Sequence, residues 1–87
     1  MNIISINDLN KYKSNKSLLI DVRLPSSYLK EHIEGAINMP INNILTMLKN
    51  YPKDIPLILY CDHGNLSNKA GRLLKTMGYT NIYILLK

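Results

Sequence analysis

The chain holds one cysteine, and its surroundings are those of a reactive thiol. The segment Leu57-Ile58-Leu59-Tyr60-Cys61-Asp62-His63-Gly64-Asn65-Leu66-Ser67-Asn68-Lys69-Ala70 reads as a buried strand, then Cys61, a tight loop and a helix. Gly64 opens backbone conformations closed to other residues. Ser67 is a cap-type residue at the expected helix start. A short loop feeding a helix turns successive N–H groups inward, and the helix N-terminus adds positive potential. A thiol at the centre of such a nest ionises easily, and the thiolate is the nucleophilic form. A lone cysteine beside a strand more commonly packs as a small hydrophobe. The strand-end position, the glycine three residues on and Ser67 together favour the reactive reading.

Phosphoryl transfer is the nearest competing chemistry, because Cys-x5-Arg loops also set a cysteine under a helix N-terminus. That chemistry needs an Arg six positions after the Cys to clamp phosphate oxygens. Ser67 stands there, and the loop has no Arg. His63 neighbours Cys61, but no third group is evident to orient a Cys-His pair, so a solvent-facing ring is expected. Asn65 is expected to shape the loop by local side-chain bonding. Lys69 and Arg72 fall on a solvated helix face.

These residues must be positioned by a small set of elements. Leu18-Leu19-Ile20-Asp21-Val22, Pro56 to Tyr60 and Asn81 to Leu86 are continuous apolar runs, the pattern of strands covered on both faces. Ala36 to Pro40 is a short extended piece. Helical stretches lie between the strands. Ser5 and Asp8 open one that carries Ile6, Leu9 and Tyr12. Pro25 opens a second, which Gly35 ends. Asn42 or Asn43 caps a third with Ile44, Leu45, Leu48 and Tyr51. The stripe Leu66, Ala70, Leu73, Leu74 and Met77 marks the last, with Gly78 just past its end. Strands alternating with helices predict an α/β fold, a small mostly parallel sheet flanked by helices on both faces. Ligands then sit beyond the carboxyl ends of the strands, where Cys61 lies.

Composition sets the bounds. The 87 residues fit one small domain, with 46% hydrophobic and 20% charged residues, well away from disordered usage. One cysteine excludes an internal disulfide and a Cys-rich zinc site, and points to a reducing compartment, hence the cytoplasm. Met1 to Ile6 has no basic region followed by a long apolar run, so no signal peptide is read there. The longest apolar runs, Leu57–Cys61 and Ile82–Leu86, fall far short of the ~18 residues of a membrane span. The net charge of +5 comes mainly from Lys scattered along the chain, which describes a solvated surface and not a nucleic-acid footprint.

Two separated motifs carry a family resemblance. Asp21-Val22-Arg23-Leu24-Pro25-Ser26-Ser27-Tyr28-Leu29-Lys30-Glu31-His32-Ile33-Glu34-Gly35-Ala36-Ile37-Asn38-Met39-Pro40 resembles the first signature of rhodanese-like domains. Cys61 to Ser67 resembles their CxxGxxS active-site loop, and Lys69 to Leu74 with Gly78-Tyr79 match the family's next helix and turn. The resemblance covers nearly the whole chain and implies sulfur transfer through a cysteine persulfide. Cys61 is then the nucleophile, and the backbone N–H groups of Asp62, His63, Gly64, Asn65, Leu66 and Ser67 hold the anionic sulfur. A small donor such as thiosulfate supplies sulfur, and a thiol, a protein or cyanide accepts it, with no cofactor and no metal. Asp21 and Arg23 are implied to be structural, and His32 to be packed and hydrogen-bonded. The alternative within the same resemblance is a persulfide carrier or redox-sensing module with little thiosulfate turnover.

Three departures from the family pattern carry expectations of their own. Ser27 stands where the family often has Glu, so Arg23 must find another partner or lie exposed. Asp62 should oppose thiolate formation and repel anionic donors, and Leu66 offers the donor no polar group. Family members normally continue with a Gly-Gly turn and a helix, whereas this sequence ends at Lys87. The domain is therefore expected to be short at its C-terminus. Apolar surface near Ile82, Ile84 and Leu86 should then be bare, to be covered by a second copy or a partner.

Overall fold

The computed structural model describes all 87 residues. Strand β1 (Asn2–Ser5) leads through a 3₁₀ turn into the short α1 (Leu9–Tyr12). Next come β2 (Leu18–Asp21), α2 (Pro25–Lys30), β3 (Ile37–Asn38), α3 (Ile44–Leu48), β4 (Leu57–Tyr60), α4 (Asn65–Thr76) and β5 (Ile82–Leu86). The sheet order is β1-β5-β4-β2-β3. Every pairing is parallel, with Leu59 opposite both Ile20 and Ile84.

Side-chain alternation splits the core between the two faces of the sheet. Ile20, Val22, Leu57, Leu59, Cys61, Ile82 and Ile84 join Ile44 and Leu48 of α3 and Ala70 and Leu74 of α4. Leu19, Ile58, Tyr60 and Leu85 face the other way, with Leu9 of α1 and Tyr28 of α2. Helices therefore cover both faces, as expected. The chain leaves β2 towards one face, through α2, and leaves the adjacent β4 towards the other, through α4. The carboxyl ends of β2 and β4 thus flank a topological switch point, where ligands of open parallel sheets bind.

Three sequence expectations are corrected by the fold. The helical stretch expected from Ser5 is present as the 3₁₀ turn Ile6–Asp8 and α1, but strand β1, which the sequence did not suggest, precedes it. This strand pairs along its length with β5, yet buries only Ile4, so it carries no periodic signal. The buried face of α4 is Ser67, Ala70, Gly71 and Leu74, while Leu66, Leu73 and Met77 are exposed. Small residues face the sheet because the helix lies close upon it: a Cβ at Gly71 would meet Ile84 Cδ1 at 3.0 Å. Finally, Ile82 and Ile84 are buried beneath α4, and only Leu86 of that trio is exposed. The bare apolar face that called for a second copy or partner is therefore absent at Ile82 and Ile84.

Candidate active site

Cys61 comes directly after β4 and points to the α4 side of the sheet. Gly64 takes a left-handed conformation, φ +90°, which turns the loop tightly enough for α4 to begin at Asn65. Ser67 is thus inside the first turn of the helix and is not its cap, a correction to the sequence reading. The register brings sulfur and loop together. The Gly64 amide donates to Cys61 Sγ at 3.2 Å and the Ser67 amide at 3.3 Å, while Sγ donates to Ser67 Oγ at 3.4 Å. Ser67 Oγ in turn donates to the Gly64 carbonyl at 3.2 Å. On ionisation of the thiol, that hydroxyl can turn its single proton to sulfur.

Burial pushes the Cys61 thiol up, but bonds from the Ser67 hydroxyl and from the Ser67, Gly64 and His63 amides outweigh it. The net result lies below the ordinary thiol value, so a thiolate forms readily at the mouth of a cavity. The cavity has a volume of about 210 Å³ and is lined by Arg23, Cys61, Asp62, His63, Asn65 and Leu66. Ser67→Ala should raise the thiol pKa and slow alkylation by iodoacetamide near neutral pH roughly tenfold, the worth of one lost bond to a charged group. An unchanged pH profile of alkylation would remove Ser67 from the sulfur's stabilising set.

The β2 end supplies the second half of the site. Asp21 is fully buried, and Arg23 grips it with Nε at 3.0 and 3.1 Å and with Nη2 at 2.7 Å. The Arg23 amide also donates to Asp21, at 2.9 Å. Burial pushes the Asp21 carboxyl up, but these bonds outweigh it and hold it below the usual carboxylate range. The pairing raises the Arg23 pKa further above its ordinary value. The Tyr60 hydroxyl accepts from the Ile33 amide at 3.0 Å, and burial pushes its pKa up to about 12.

Arg23 finds its missing partners across the switch point. Nη2 donates to the Glu31 carbonyl at 2.7 Å, and Nη1 to Asp62 Oδ1 at 3.0 Å. Asp62 also lies 3.9 Å from Lys87 Nζ. Its charge is therefore paired, which offsets the opposition to thiolate formation expected of it. His63 and Asn65 are exposed and line the cavity without a side-chain bond to sulfur. The local side-chain bonding expected of Asn65 falls to Asn68, whose Nδ2 donates to the Gly64 carbonyl at 2.8 Å. His32 is exposed, stacked on Tyr28 at 3.7 Å between ring centroids, with Nδ1 2.7 Å from the Tyr28 carbonyl. Asp21 stands behind Arg23 and does not reach the cavity. Sequence reasoning missed Asn68 and Lys87: one looks like any polar helix residue, and the other reaches Asp62 only through the parallel pairing of β5 with β4.

A cysteine sulfur cradled by loop amides at a strand end agrees with what the sequence matches. A family model described as rhodanese-like domain covers residues 5–87. The chain belongs to this family. The domain is 37% identical to the thiosulfate sulfurtransferase PspE of Escherichia coli, across 72% of its own length and 62% of the relative. It is 30% identical to the thiosulfate sulfurtransferase GlpE of Pseudomonas entomophila, across 82% of its own length and 65% of the relative. It thus spans a little under two thirds of each. Among solved structures, a rhodanese from E. coli determined with anions superposes with a TM-score of 0.70 at 34% identity, covering 78% of this chain and 82% of that one. No helix of the rhodanese-like domain is long and apolar enough to cross a membrane.

Proposed function

We propose that this rhodanese-like domain is a sulfurtransferase that moves sulfane sulfur through a persulfide on Cys61. The observation that carries the reading is the pair of amides, Gly64 and Ser67, aimed at a sulfur whose ionisation they favour. With thiosulfate, the Cys61 thiolate attacks the outer sulfur, the S–S bond breaks and sulfite leaves with the bonding pair. A thiol or cyanide then attacks the outer sulfur of the persulfide, and Cys61 departs as thiolate. The same amides serve the start of the first half and the end of the second, because both hold a thiolate on Cys61 Sγ. Fixed dipoles do this work, so loop side chains such as Asn65 and Leu66 need not touch the reacting atoms.

The relatives named thiosulfate sulfurtransferases support this donor class. Asp21 and Arg23 act as structural support for the loop. The 87 residues act as one domain, without a metal or cofactor, in a reducing compartment such as the cytoplasm. A covalent intermediate between two displacements predicts parallel lines in double-reciprocal plots when thiosulfate is varied at several cyanide concentrations. Lines that intersect would mean that donor and acceptor bind together, against a free persulfide enzyme.

A further inference from the structure

We infer that the Arg23–Asp62 contact is a charge filter that turns this site away from dianionic donors and towards persulfides of small polar thiols. The inference deepens the sulfur-transfer reading, although the charge filter can be tested without it. Arg23 is the guanidinium that reaches the Cys61 cavity. Its Nε and Nη2 are committed to Asp21 and the Glu31 carbonyl, and Nη1 is held by Asp62 at 3.0 Å. A resident carboxylate thus occupies the place where an anionic donor would meet Arg23. Asp21 already neutralises Arg23 once, so Asp62 gives the trio a net charge of −1, which Lys87 at 3.9 Å offsets. Beside the sulfur, a dianion then finds loop amides but no free guanidinium.

The far side of the contact opens on a cleft of about 470 Å³ lined by Arg23, Ser27, Lys30, Glu31 and Asp62. Two cations and two carboxylates face it, with the Ser27 hydroxyl. That lining suits a polar body bearing both signs and gives no advantage to a purely anionic one. The balanced step is Cys61–S⁻ plus R–S–SH giving Cys61–S–SH plus R–S⁻. The S–S bond of the donor breaks, its terminal sulfur passes to Cys61, and the thiolate leaves. No oxidant or reductant is required.

Asp62→Asn keeps an acceptor for Arg23 while removing the charge. Two alkylating agents of similar size probe the filter directly. The rate with anionic iodoacetate, relative to neutral iodoacetamide, should rise about fivefold in the variant, and the gain should shrink with added salt. For sulfur loading, kcat/KM with thiosulfate should rise about tenfold relative to the value with cysteine persulfide, because the dianion feels the removed charge more strongly than the persulfide does. Asp62→Glu, which keeps the charge, should leave the iodoacetate to iodoacetamide ratio at the parent value, and unfolding midpoints of all three should agree. An iodoacetate to iodoacetamide ratio that stays the same in Asp62→Asn overturns the filter. A changed ratio with no sulfur loading from either donor supports the filter and overturns sulfur transfer instead.

Discussion

Cys61→Ser should abolish turnover of thiosulfate and cyanide, a fall on the order of a thousandfold or more, with almost no change in stability. The two halves of that expectation have separate causes. Serine offers oxygen in nearly the same volume, and the Gly64 and Ser67 amides that donate to Sγ at 3.2 and 3.3 Å still have an acceptor. The packing around Ile84 and Leu59 is undisturbed, so unfolding should shift by no more than about 1 kcal/mol. The chemistry does not survive, because two loop amides cannot bring a hydroxyl to ionise near neutral pH and oxygen cannot hold sulfane sulfur as a persulfide. Denaturant melts and cyanide-dependent thiocyanate release, measured on the same samples, check both halves. Full activity in Cys61→Ser would move the chemistry elsewhere, and a large loss of stability would make the thiol a structural group.

Arg23→Met should have the largest effect on folding. Asp21 is completely buried, and Arg23 satisfies it through both the side chain and the backbone amide. Methionine restores the volume of the stem but leaves a carboxylate without its counter-ion. Removing one member of a buried pair costs about 3–5 kcal/mol, a large part of the stability of a domain this small. The melting temperature should fall by roughly 12–40 °C. The pH dependence identifies the cause. In the parent, the folded Asp21 carboxyl sits below its unfolded value, so its contribution is present above the unfolded pKa and is lost as pH falls through the folded one. In Arg23→Met, burial acts unopposed by the guanidinium and raises the folded carboxyl above its unfolded value. The variant should therefore regain stability relative to the parent as pH falls towards about 4. Adding Asp21→Asn should recover part of the loss. A deficit that stays constant with pH would show that packing of the stem, and not the charge on Asp21, is what Arg23 supplies.

The sequence carried the central features because they are local. Continuous apolar runs mark β2, β4 and β5, since strands buried on both faces show no alternation. The Cys61 to Ser67 loop is legible because a glycine with positive φ and a cysteine at a strand end each demand particular residues. What escaped depends on contacts distant in sequence. Strand β1 has one buried residue, Ile4, and exists through its pairing with β5. The inward face of α4 is set by Ser67 and Gly71, whose small size matters only once the helix is known to press on Ile84. The partnership of Arg23 with Asp62 spans 39 positions and arises because β2 and β4 are neighbours whose helices depart to opposite faces. That same geometry corrects the electrostatics: a carboxylate beside a cysteine suggests a suppressed thiolate until its counter-ion is seen.

Whether Cys61 itself carries the transferred sulfur is read most directly from the mass of the Cys61 peptide. The protein is incubated with thiosulfate or cysteine persulfide, desalted, and then treated with cyanide. One added sulfur atom on that peptide, lost on cyanide treatment with stoichiometric thiocyanate, is the predicted result. An unmodified Cys61 peptide alongside continuing thiocyanate formation would contradict it.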